Sequence, residues 1–411
     1  MAGATPALSL AQPVPAKLPT PTPQRTLGWM GIRRGHRARP LEFLVEKAIL
    51  LVSLTAIATI LLIFVFVGRE ALPIFLGHLS SAAAQEHRIL PATELDRTPP
   101  ETVRAYLGLS PSEFRNLDRE ALQALLEVRA EAAAEAKGNP DPDANLNTLQ
   151  WRYLLQPYQW ADYDRPAYVW QPVSKVHKYN LVPLVVGTLK TTLVALLFAV
   201  PFSLAAALYV SQLARPRWRE WIKPAIEMLS AVPSVVLGAF AALVMASALQ
   251  QLFGFQYRLN ALLAGIALGL SSIPIIFSIA EDALTSVPRS YSQAALALGA
   301  SPWAAAWQIV VPAALPGLFA AVVLGFGRCL GETMVVLIAS GNAAALSPSL
   351  LEPVRTLTAT IAAELGETVV GGHHYRMLFV LGTLLFGVTF LTNLAGDVVI
   401  HRLKRRLEGS K

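Results

Sequence analysis

Residues 289–342 read RSYSQAALALGASPWAAAWQIVVPAALPGLFAAVVLGFGRCLGETMVVLIASGN, and the architecture of the chain follows from this segment. Its first half is small, rich in alanine and interrupted by one glycine and two prolines. Its second half is a long apolar run that carries Arg328 and Glu332. Because these two residues lie four positions apart, a helix places them on one face, where they can pair. A charge inside an apolar membrane span costs at least ~2.5–3.5 kcal/mol on insertion scales, so we expect this pair to have a function.

The composition is that of a membrane protein. The chain has 411 residues, of which 54% are hydrophobic and only 15% are charged, whereas about a quarter of the residues in a soluble domain are charged. The net charge of +7 does not indicate nucleic-acid binding, because the basic residues cluster beside apolar segments. The single cysteine, Cys329, excludes an intrachain disulfide.

Six apolar segments are each long enough to cross the ~30 Å hydrocarbon core of a bilayer. Basic clusters at residues 25–39, 215–223 and 402–406 flank these segments. The positive-inside rule places the clusters, and with them both termini, in the cytoplasm. We therefore predict an all-α, polytopic membrane protein with six transmembrane helices. The predicted spans lie at about 48–67, 181–213, 224–252, 259–280, 314–338 and 377–400.

The segments outside the spans differ in character. Residues 1–47 form a basic cytoplasmic tail, which we predict to be disordered because its first part is rich in Pro, Ala and Thr. Residues 68–180 are polar and contain no second span, so we expect an extracytoplasmic region, with one amphipathic helix over about 111–137. Aromatic residues recur between positions 151 and 170. They form either a recognition surface for an extracytoplasmic protein or an internally packed and interfacial group.

The first half of the opening segment resembles the ATPase-docking loop of ABC importer permeases. The family pattern is Glu-Ala-Ala, three residues, Gly, nine residues, Ile, one residue and Leu-Pro, and this spacing is intact here. Gln replaces the opening Glu, and Val replaces the Leu. The matching residues are Gln293, Ala294, Ala295, Gly299, Ile309 and Pro312. The resemblance implies two short cytoplasmic helices that dock into a groove on an ATPase subunit, and the alternative is an ordinary helical hairpin between spans.

The second half resembles the permeases of phosphate-specific ABC importers of the PstC type. Residues 327–334 read GRCLGETM and residues 340–342 read SGN, where that family has R-A-x-G-E-T-M and a closing A-G-N. Further similar segments are AVPSVVLG at 231–238, PVRTLT at 353–358 and GGHHYR at 371–376. The resemblance implies that residues 181–406 are a type I ABC importer permease domain with its cytoplasmic docking loop at 283–312. The long tail and the enlarged outer region depart from the family.

The same resemblance implies the partners and the reaction. The chain is expected to form half of a heterodimeric pore in the bacterial inner membrane, with a second permease subunit, two ATPase subunits and an extracytoplasmic phosphate-binding protein. The resemblance further implies that it imports inorganic phosphate and is not an enzyme. No G-x-x-x-x-G-K-S/T run is present, so the chain lacks a P-loop. We expect it to bind no cofactor, while ATP and Mg are used by the partner ATPase.

Arg328 and Glu332 are the candidate translocation residues, because the family links the matching Arg and Glu to phosphate transport. A guanidinium matches phosphate oxygens in a bidentate manner, so Arg328 suits a transient anion contact. Glu332 then serves as its resting partner. Thr333 and Ser271 are candidate neutral donors. The alternative is an ion pair that only holds helices together.

Three other functions are compatible with parts of the sequence. A permease for another oxyanion, sulfate or molybdate, shares the loop and the topology, but the R-x-x-G-E-T-M run favours phosphate. A structural or sensory membrane protein needs neither the docking loop nor a charge pair within a span. An intramembrane metal-dependent hydrolase is the remote alternative, based on the ligand types His373, His374, Glu364 and Glu367. The H-E-x-x-H motif is absent, and we predict no metal site.

Overall fold

The computed structural model describes residues 40–77, 79, 99–107, 109, 111–137, 143 and 146–408. Most of the predicted disordered tail, residues 1–39, lies outside the described residues. Two compact units divide the chain between Leu61 and Leu62. The described part of the first unit is the beginning of helix α1 (Pro40–Phe75), and all later residues belong to the second unit.

Six segments in the described part of the chain are helical, long and apolar enough to cross a membrane. The predicted number of spans is confirmed, and so is the all-α, polytopic fold class. α1 extends beyond the predicted span at 48–67 in both directions and includes the residues that flank the apolar run. The six segments are Val45–Phe75, Val182–Leu213, Ser234–Phe253, Ala261–Thr285, Pro302–Gly331 and His373–Leu403.

Short helices and one hairpin occupy the segment between the first two spans. These elements are α2 (Pro100–Leu107), α3 (Pro111–Asn116), α4 (Arg119–Lys137), α5 (Trp151–Leu155), β1 (Trp170–Gln171) and β2 (Lys178–Tyr179), and the two strands are antiparallel. The prediction of one helix over 111–137 is wrong. Asp118 Oδ1 accepts the N–H of Ala121 at 2.8 Å and starts α4 as a new helix. Apolar periodicity does not reveal such a break, since the period continues across it.

Aromatic residues of the outer segment form a small core of their own. Tyr153 and Trp160 are buried together with Val169 and Val176. The rings of Tyr153 and Tyr158 meet edge to face with their centroids 5.0 Å apart, an arrangement that aromatic pairs prefer. Internal packing, one of the two alternatives from the sequence, therefore accounts for these side chains.

The remaining helices form five spans and the loops between them. They are α6 (Val182–Leu208), α7 (Pro216–Met228), α8 (Ser234–Phe240), α9 (Ala246–Phe253), α10 (Ala261–Thr285), α11 (Arg289–Ala297), α12 (Pro302–Ala305), α13 (Val311–Gly331), α14 (Met334–Ala339), α15 (Leu357–Glu364) and α16 (His373–Glu408). Small residues allow α6 and α10 to pack closely. A Cβ atom at Gly269 of α10 would meet the carbonyl oxygen of Ala195 in α6. Close backbone approach through glycine is the usual way in which membrane helices pack.

The third span begins later than predicted, at Ser234 instead of about residue 224. The segment taken for a basic loop and the start of this span is the separate helix α7, followed by a 3₁₀ turn at Leu229–Ala231. Pro233 then has an extended backbone, with φ −58° and ψ 137°, and precedes the first residue of α8. Proline lacks an N–H and cannot continue the helical hydrogen-bond ladder, so the span starts after it.

Candidate functional site

The helix that carries Arg328 ends before it reaches Glu332. α13 stops at Gly331, and Glu332 has an extended backbone with φ −71° and ψ 132°. The fifth span is present but runs from Pro302 to Gly331 instead of 314–338, and the prediction of a single helical face that joins both charges is wrong. Glycine lowers helix stability at this point, and the backbone turns between α13 and the short helix α14. Nevertheless, Arg328 Nη2 lies 3.9 Å from Glu332 Oε2.

The two side chains of this pair have different environments. The Arg328 side chain is 47% exposed, whereas that of Glu332 is only 10% exposed. Glu332 Oε1 accepts the backbone N–H of Thr333 at 3.1 Å, and its carbonyl oxygen accepts the hydroxyl of Thr358 at 2.8 Å. The carboxylate and the backbone carbonyl of Glu332 thus each accept one hydrogen bond. The guanidinium reaches the carboxylate only at a distance too long for a hydrogen bond, and no hydrogen bond of an Arg328 donor is found within the described residues.

The two candidate neutral donors are engaged with their own backbone. Thr333 Oγ1 donates to the carbonyl oxygen of Gly331 at 3.4 Å, and Ser271 Oγ donates to that of Leu268 at 2.7 Å. Thr333 adjoins the pair in sequence and in space. Ser271 has no contact with Arg328 or Glu332 among the described interactions. Its neighbour Ser272 instead contacts the buried Cys329 at 3.1 Å, so the structure does not unite all four predicted residues.

The predicted docking loop contains one separate helix and the beginning of the next span. After α11, Gly299 adopts φ +89°, a left-handed conformation that favours glycine, and it makes the predicted bend. α12 then begins with the hydroxyl of Ser301 accepting the N–H of Ala304 at 3.2 Å. A π-helical turn, Ala306–Val310, joins α12 directly to α13. The prediction of two short helices is therefore wrong for the second one.

Pro312 does not end this helix because it lies in the first turn of α13, where the preceding π turn already changes the hydrogen-bond pattern.

The predicted docking residues Gln293, Ala294 and Gly299 are exposed, and Ala295 is half-buried. Ile309 is also exposed. The rings of Trp303 and Trp307 stack at a centroid distance of 6.1 Å with 7° between their planes. Both are exposed, so the loop presents an apolar surface that suits a protein partner.

A buried carboxylate near this loop was missed by sequence reasoning. Glu281 of α10 is only 1% exposed, and its oxygens lie 2.5 Å from Arg219 Nη2 and 2.7 Å from Lys223 Nζ. Thr285 donates a third hydrogen bond to it at 3.1 Å. The hydrogen bond to Glu281 raises the pKa of Lys223. The sequence does contain a signal for this cluster: an acid lies at the end of one span, and a basic segment follows another span.

A second cluster lies between the fifth and sixth spans and centres on Glu364. This carboxylate pairs with Arg355, accepts the indole N–H of Trp170 at 3.1 Å and lies 2.9 Å from His374 Nε2. Burial and the charge of Glu364 together raise the pKa of Tyr179. Within the described residues no group of His, Cys, Asp and Glu side chains is arranged to hold a metal ion. Two of the residues behind the hydrolase alternative, Glu364 and His374, thus belong to a polar network between β1, α15 and α16, and Glu367 has no described contact.

Comparison with known proteins identifies the family. Residues 199–408 match the family described as "Binding-protein-dependent transport system inner membrane component". The chain belongs to this family. It is 34% identical over 258 residues to "Phosphate transport system permease protein PstC" of Xylella fastidiosa (strain 9a5c), covering 58% of this chain and 78% of that one. It is 35% identical over 224 residues to "Probable ABC transporter permease protein YqgH" of Bacillus subtilis (strain 168), covering 54% and 72%.

Among solved structures, the similarity is weaker. A chain of the inward-facing MetNI methionine ABC transporter is 21% identical, with a TM-score of 0.44, and the match covers 54% of this chain and 95% of that one.

The family and the curated relatives confirm the resemblance to PstC-type permeases. They also confirm that the chain is a transport subunit and not an enzyme, and a multi-pass membrane protein. Membership of this family implies, in general, an ATPase, a binding protein and a second permease as partners.

Proposed function

We propose that this chain is the permease subunit of an ATP-driven phosphate importer and forms half of its translocation pore. The observation that carries the proposal is the half-exposed guanidinium of Arg328 at the end of α13, in a chain whose relatives include phosphate transport permeases. The substrate is inorganic phosphate, delivered by an extracytoplasmic binding protein and released into the cytoplasm of a bacterial cell.

The geometry of Arg328 suits a transient anion contact. Its side chain is half-exposed, and its ion contact with Glu332 spans 3.9 Å without a hydrogen bond. A guanidinium with free donors binds phosphate oxygens in pairs. Because Arg328 is held only weakly at rest, little interaction energy is lost when phosphate replaces the carboxylate. The fixed Glu332 then provides the charge that draws Arg328 back and favours release of the anion.

The end of α13 supports this role through backbone electrostatics. The last carbonyl groups of a helix carry partial negative charge, which repels an anion. Arg328 lies in the last turn of α13 and offsets that charge. Thr333, directly after the break, adds a hydroxyl that is bound only at 3.4 Å to Gly331 and is available as a neutral donor. Ser271, which is bound to its own helix, remains a more distant candidate.

Energy for transport comes from the partner subunits. The exposed residues from Gln293 to Ile309 form the docking surface for one of two ATPase subunits, which bind ATP and Mg. The second permease subunit completes the pore as a heterodimer partner, and both termini of this chain lie in the cytoplasm. Gln293 replaces the acidic residue of the family pattern, so docking depends on the apolar surface with Trp303 and Trp307 rather than on this position's charge.

Uptake into vesicles tests the proposed substrate. The full complex is reconstituted with ATP on the ATPase side and the binding protein on the other side, and labelled phosphate is followed with sulfate or molybdate as competitors. We expect uptake that requires ATP and is unaffected by a tenfold excess of either competitor. Uptake that sulfate or molybdate displaces would assign another oxyanion to this permease, and uptake without ATP would contradict the ABC mechanism.

A further inference from the structure

Helix α7 connects the second and third spans and has two distinct faces. On its inner face, Ile222 and Ile226 pack against a core cluster formed by α6, α10 and α13. Arg219 and Lys223 on the same side bind the buried Glu281. These contacts fix the rotation of α7 about its axis. Its other side therefore has a defined orientation away from the protein.

The outer face of α7 is apolar and exposed. Trp218 is 60% exposed, Trp221 is 74% exposed and Met228 is 71% exposed. Ala225 is exposed between them. The spacings of three, four and three residues place all four on one side of a helix. Two indoles and a methionine thus form one stripe, with no described partner in the chain.

The position of this stripe indicates the surface of the membrane. α7 lies between the end of one span at Leu213 and the beginning of the next at Ser234. Exposed apolar residues continue from it into the next span, through Val232, Val235 and Val236. Tryptophan is enriched at the interface between lipid and water, where the ring is buried and the N–H meets polar headgroups.

The charge at the start of α7 indicates which lipids are bound. Arg215 and Arg217 are exposed, and neither has a carboxylate partner within the described part of the chain. They are separate from Arg219 and Lys223, which are occupied by Glu281. Exposed arginines beside an interfacial apolar stripe attract anionic headgroups. A protein that covered this face would have to supply carboxylates to both arginines, whereas a phospholipid headgroup supplies its phosphate directly.

We propose that α7 is an interfacial helix that binds anionic phospholipids. The stripe of Trp218, Trp221, Ala225 and Met228 inserts at the headgroup level, and Arg215 and Arg217 contact lipid phosphates. The proposal concerns a lipid surface and is independent of the transported substrate. It also does not depend on which side of the membrane α7 faces, since α7 can be tested in bilayers with identical leaflets.

Quenching of tryptophan fluorescence by brominated lipids tests this proposal in the assembled complex. The complex is placed in nanodiscs of phosphatidylcholine that contain equal fractions of brominated phosphatidylglycerol or brominated phosphatidylcholine. We expect the Trp218→Phe/Trp221→Phe variant to lose a large part of the quenching of this chain, which has eight tryptophans. The control Trp160→Phe, changed at a buried position outside the six spans, should retain that quenching. Equal quenching of the wild-type chain and the α7 variant would show that protein covers this face and would overturn the proposal.

A second set of variants tests the selectivity of α7 for anionic lipid. We expect brominated phosphatidylglycerol to quench the α7 tryptophans at least about twofold more than brominated phosphatidylcholine, because each interfacial arginine favours anionic lipid severalfold. Arg215→Gln/Arg217→Gln should abolish this difference, while Glu220→Gln on the same exposed helix should preserve it. A difference that survives loss of both arginines, or one that is absent in the wild type, would contradict binding of anionic lipid at α7.

Discussion

Arg328 Nη2 and Glu332 Oε2 lie 3.9 Å apart across the end of a helix rather than along one of its faces. The break after Gly331 leaves Glu332 fixed by backbone contacts and Arg328 half-exposed. The observed geometry gives one fixed and one movable partner, as an exchange of Arg328 between Glu332 and an anion requires.

Glu332→Gln should slow transport without preventing assembly. The glutamine retains an acceptor for the N–H of Thr333, but it removes the charge that competes with phosphate for Arg328. A partly exposed ion pair contributes ~1 kcal/mol, so we expect uptake to fall about fivefold and KM to fall with it. Initial rates in vesicles measure both values. Glu367→Gln, an exposed acid of the outer loop, is the control, and uptake equal to wild type in Glu332→Gln would contradict the role of this charge.

Glu281→Gln should destabilise the chain. It leaves Arg219 and Lys223 without their charged partner at a site where the carboxylate is almost fully buried. Breaking a fully buried pair costs ~3–5 kcal/mol, but both cations reach solvent, so we expect a loss of about 1–3 kcal/mol. Thermal unfolding in detergent measures the change. Asp282→Asn, which changes an exposed carboxylate 4.0 Å from the same Lys223, should lower Tm by less than Glu281→Gln, and equal Tm values for the two variants would refute the assignment.

The pH dependence of the same cluster has a defined sign. The pKa of Lys223 is raised in the folded chain by its hydrogen bond to Glu281. A group of this kind contributes stability below its unfolded pKa of ~10.4, and that contribution is lost as the pH rises through the folded value. Wild-type Tm should therefore fall above about pH 10 more steeply than Tm of Lys223→Met. Parallel pH profiles for the two proteins would show that Lys223 contributes nothing.

Trp303→Ala/Trp307→Ala should weaken binding of the ATPase. The two stacked indoles are exposed on the docking loop, and aromatic residues of this kind carry much of the affinity at protein interfaces. We expect at least about a tenfold loss of affinity, the effect of ~1.4 kcal/mol. Copurification of the ATPase with tagged permease measures it. Trp151→Ala, an exposed tryptophan of the outer segment, is the matched control, and undiminished copurification of the loop variant would place docking elsewhere.

Gly299→Ala should distort the same loop. Its φ of +89° lies in the left-handed region, where a side chain costs ~1–2 kcal/mol. No other atom lies near its Cβ position, so strain of the backbone is the only local cost among the described residues. Gly387→Ala, in α16 with equally open surroundings and an ordinary φ, is the control. We expect only Gly299→Ala to lower ATPase stimulation, and equal stimulation in both variants would show that this bend is not needed.

Apolar length and basic clusters were sufficient to predict the number of spans, and the docking-loop spacing and the R-x-x-G-E-T-M run were sufficient to predict the family. The points at which helices break or continue were not predictable from the sequence. Asp118 starts a helix in mid-pattern, and Pro312 continues one because a π turn precedes it. Such outcomes depend on individual backbone hydrogen bonds rather than on composition.

Contacts between distant residues were also beyond the sequence. The sequence shows an acid at the end of one span and a basic segment after another, but it does not identify Arg219 and Lys223 as the partners of Glu281, because the contact joins two helices about sixty residues apart. The same holds for Glu364, whose partners Trp170 and His374 come from two other elements. Sequence reasoning found Arg328 and Glu332 because those residues are close along the chain.

Phosphate uptake by Arg328 variants tests the central claim most directly. Arg328→Ala, Arg328→Lys and the control Arg69→Ala, which removes another exposed arginine beside an acid, are compared in vesicles with equal amounts of assembled complex. We expect Arg328→Ala to abolish uptake, Arg328→Lys to restore a small part of it, and Arg69→Ala to match wild type. Wild-type uptake by an assembled Arg328→Ala complex would contradict the account, as would loss of assembly in that variant, which would assign Arg328 a structural role.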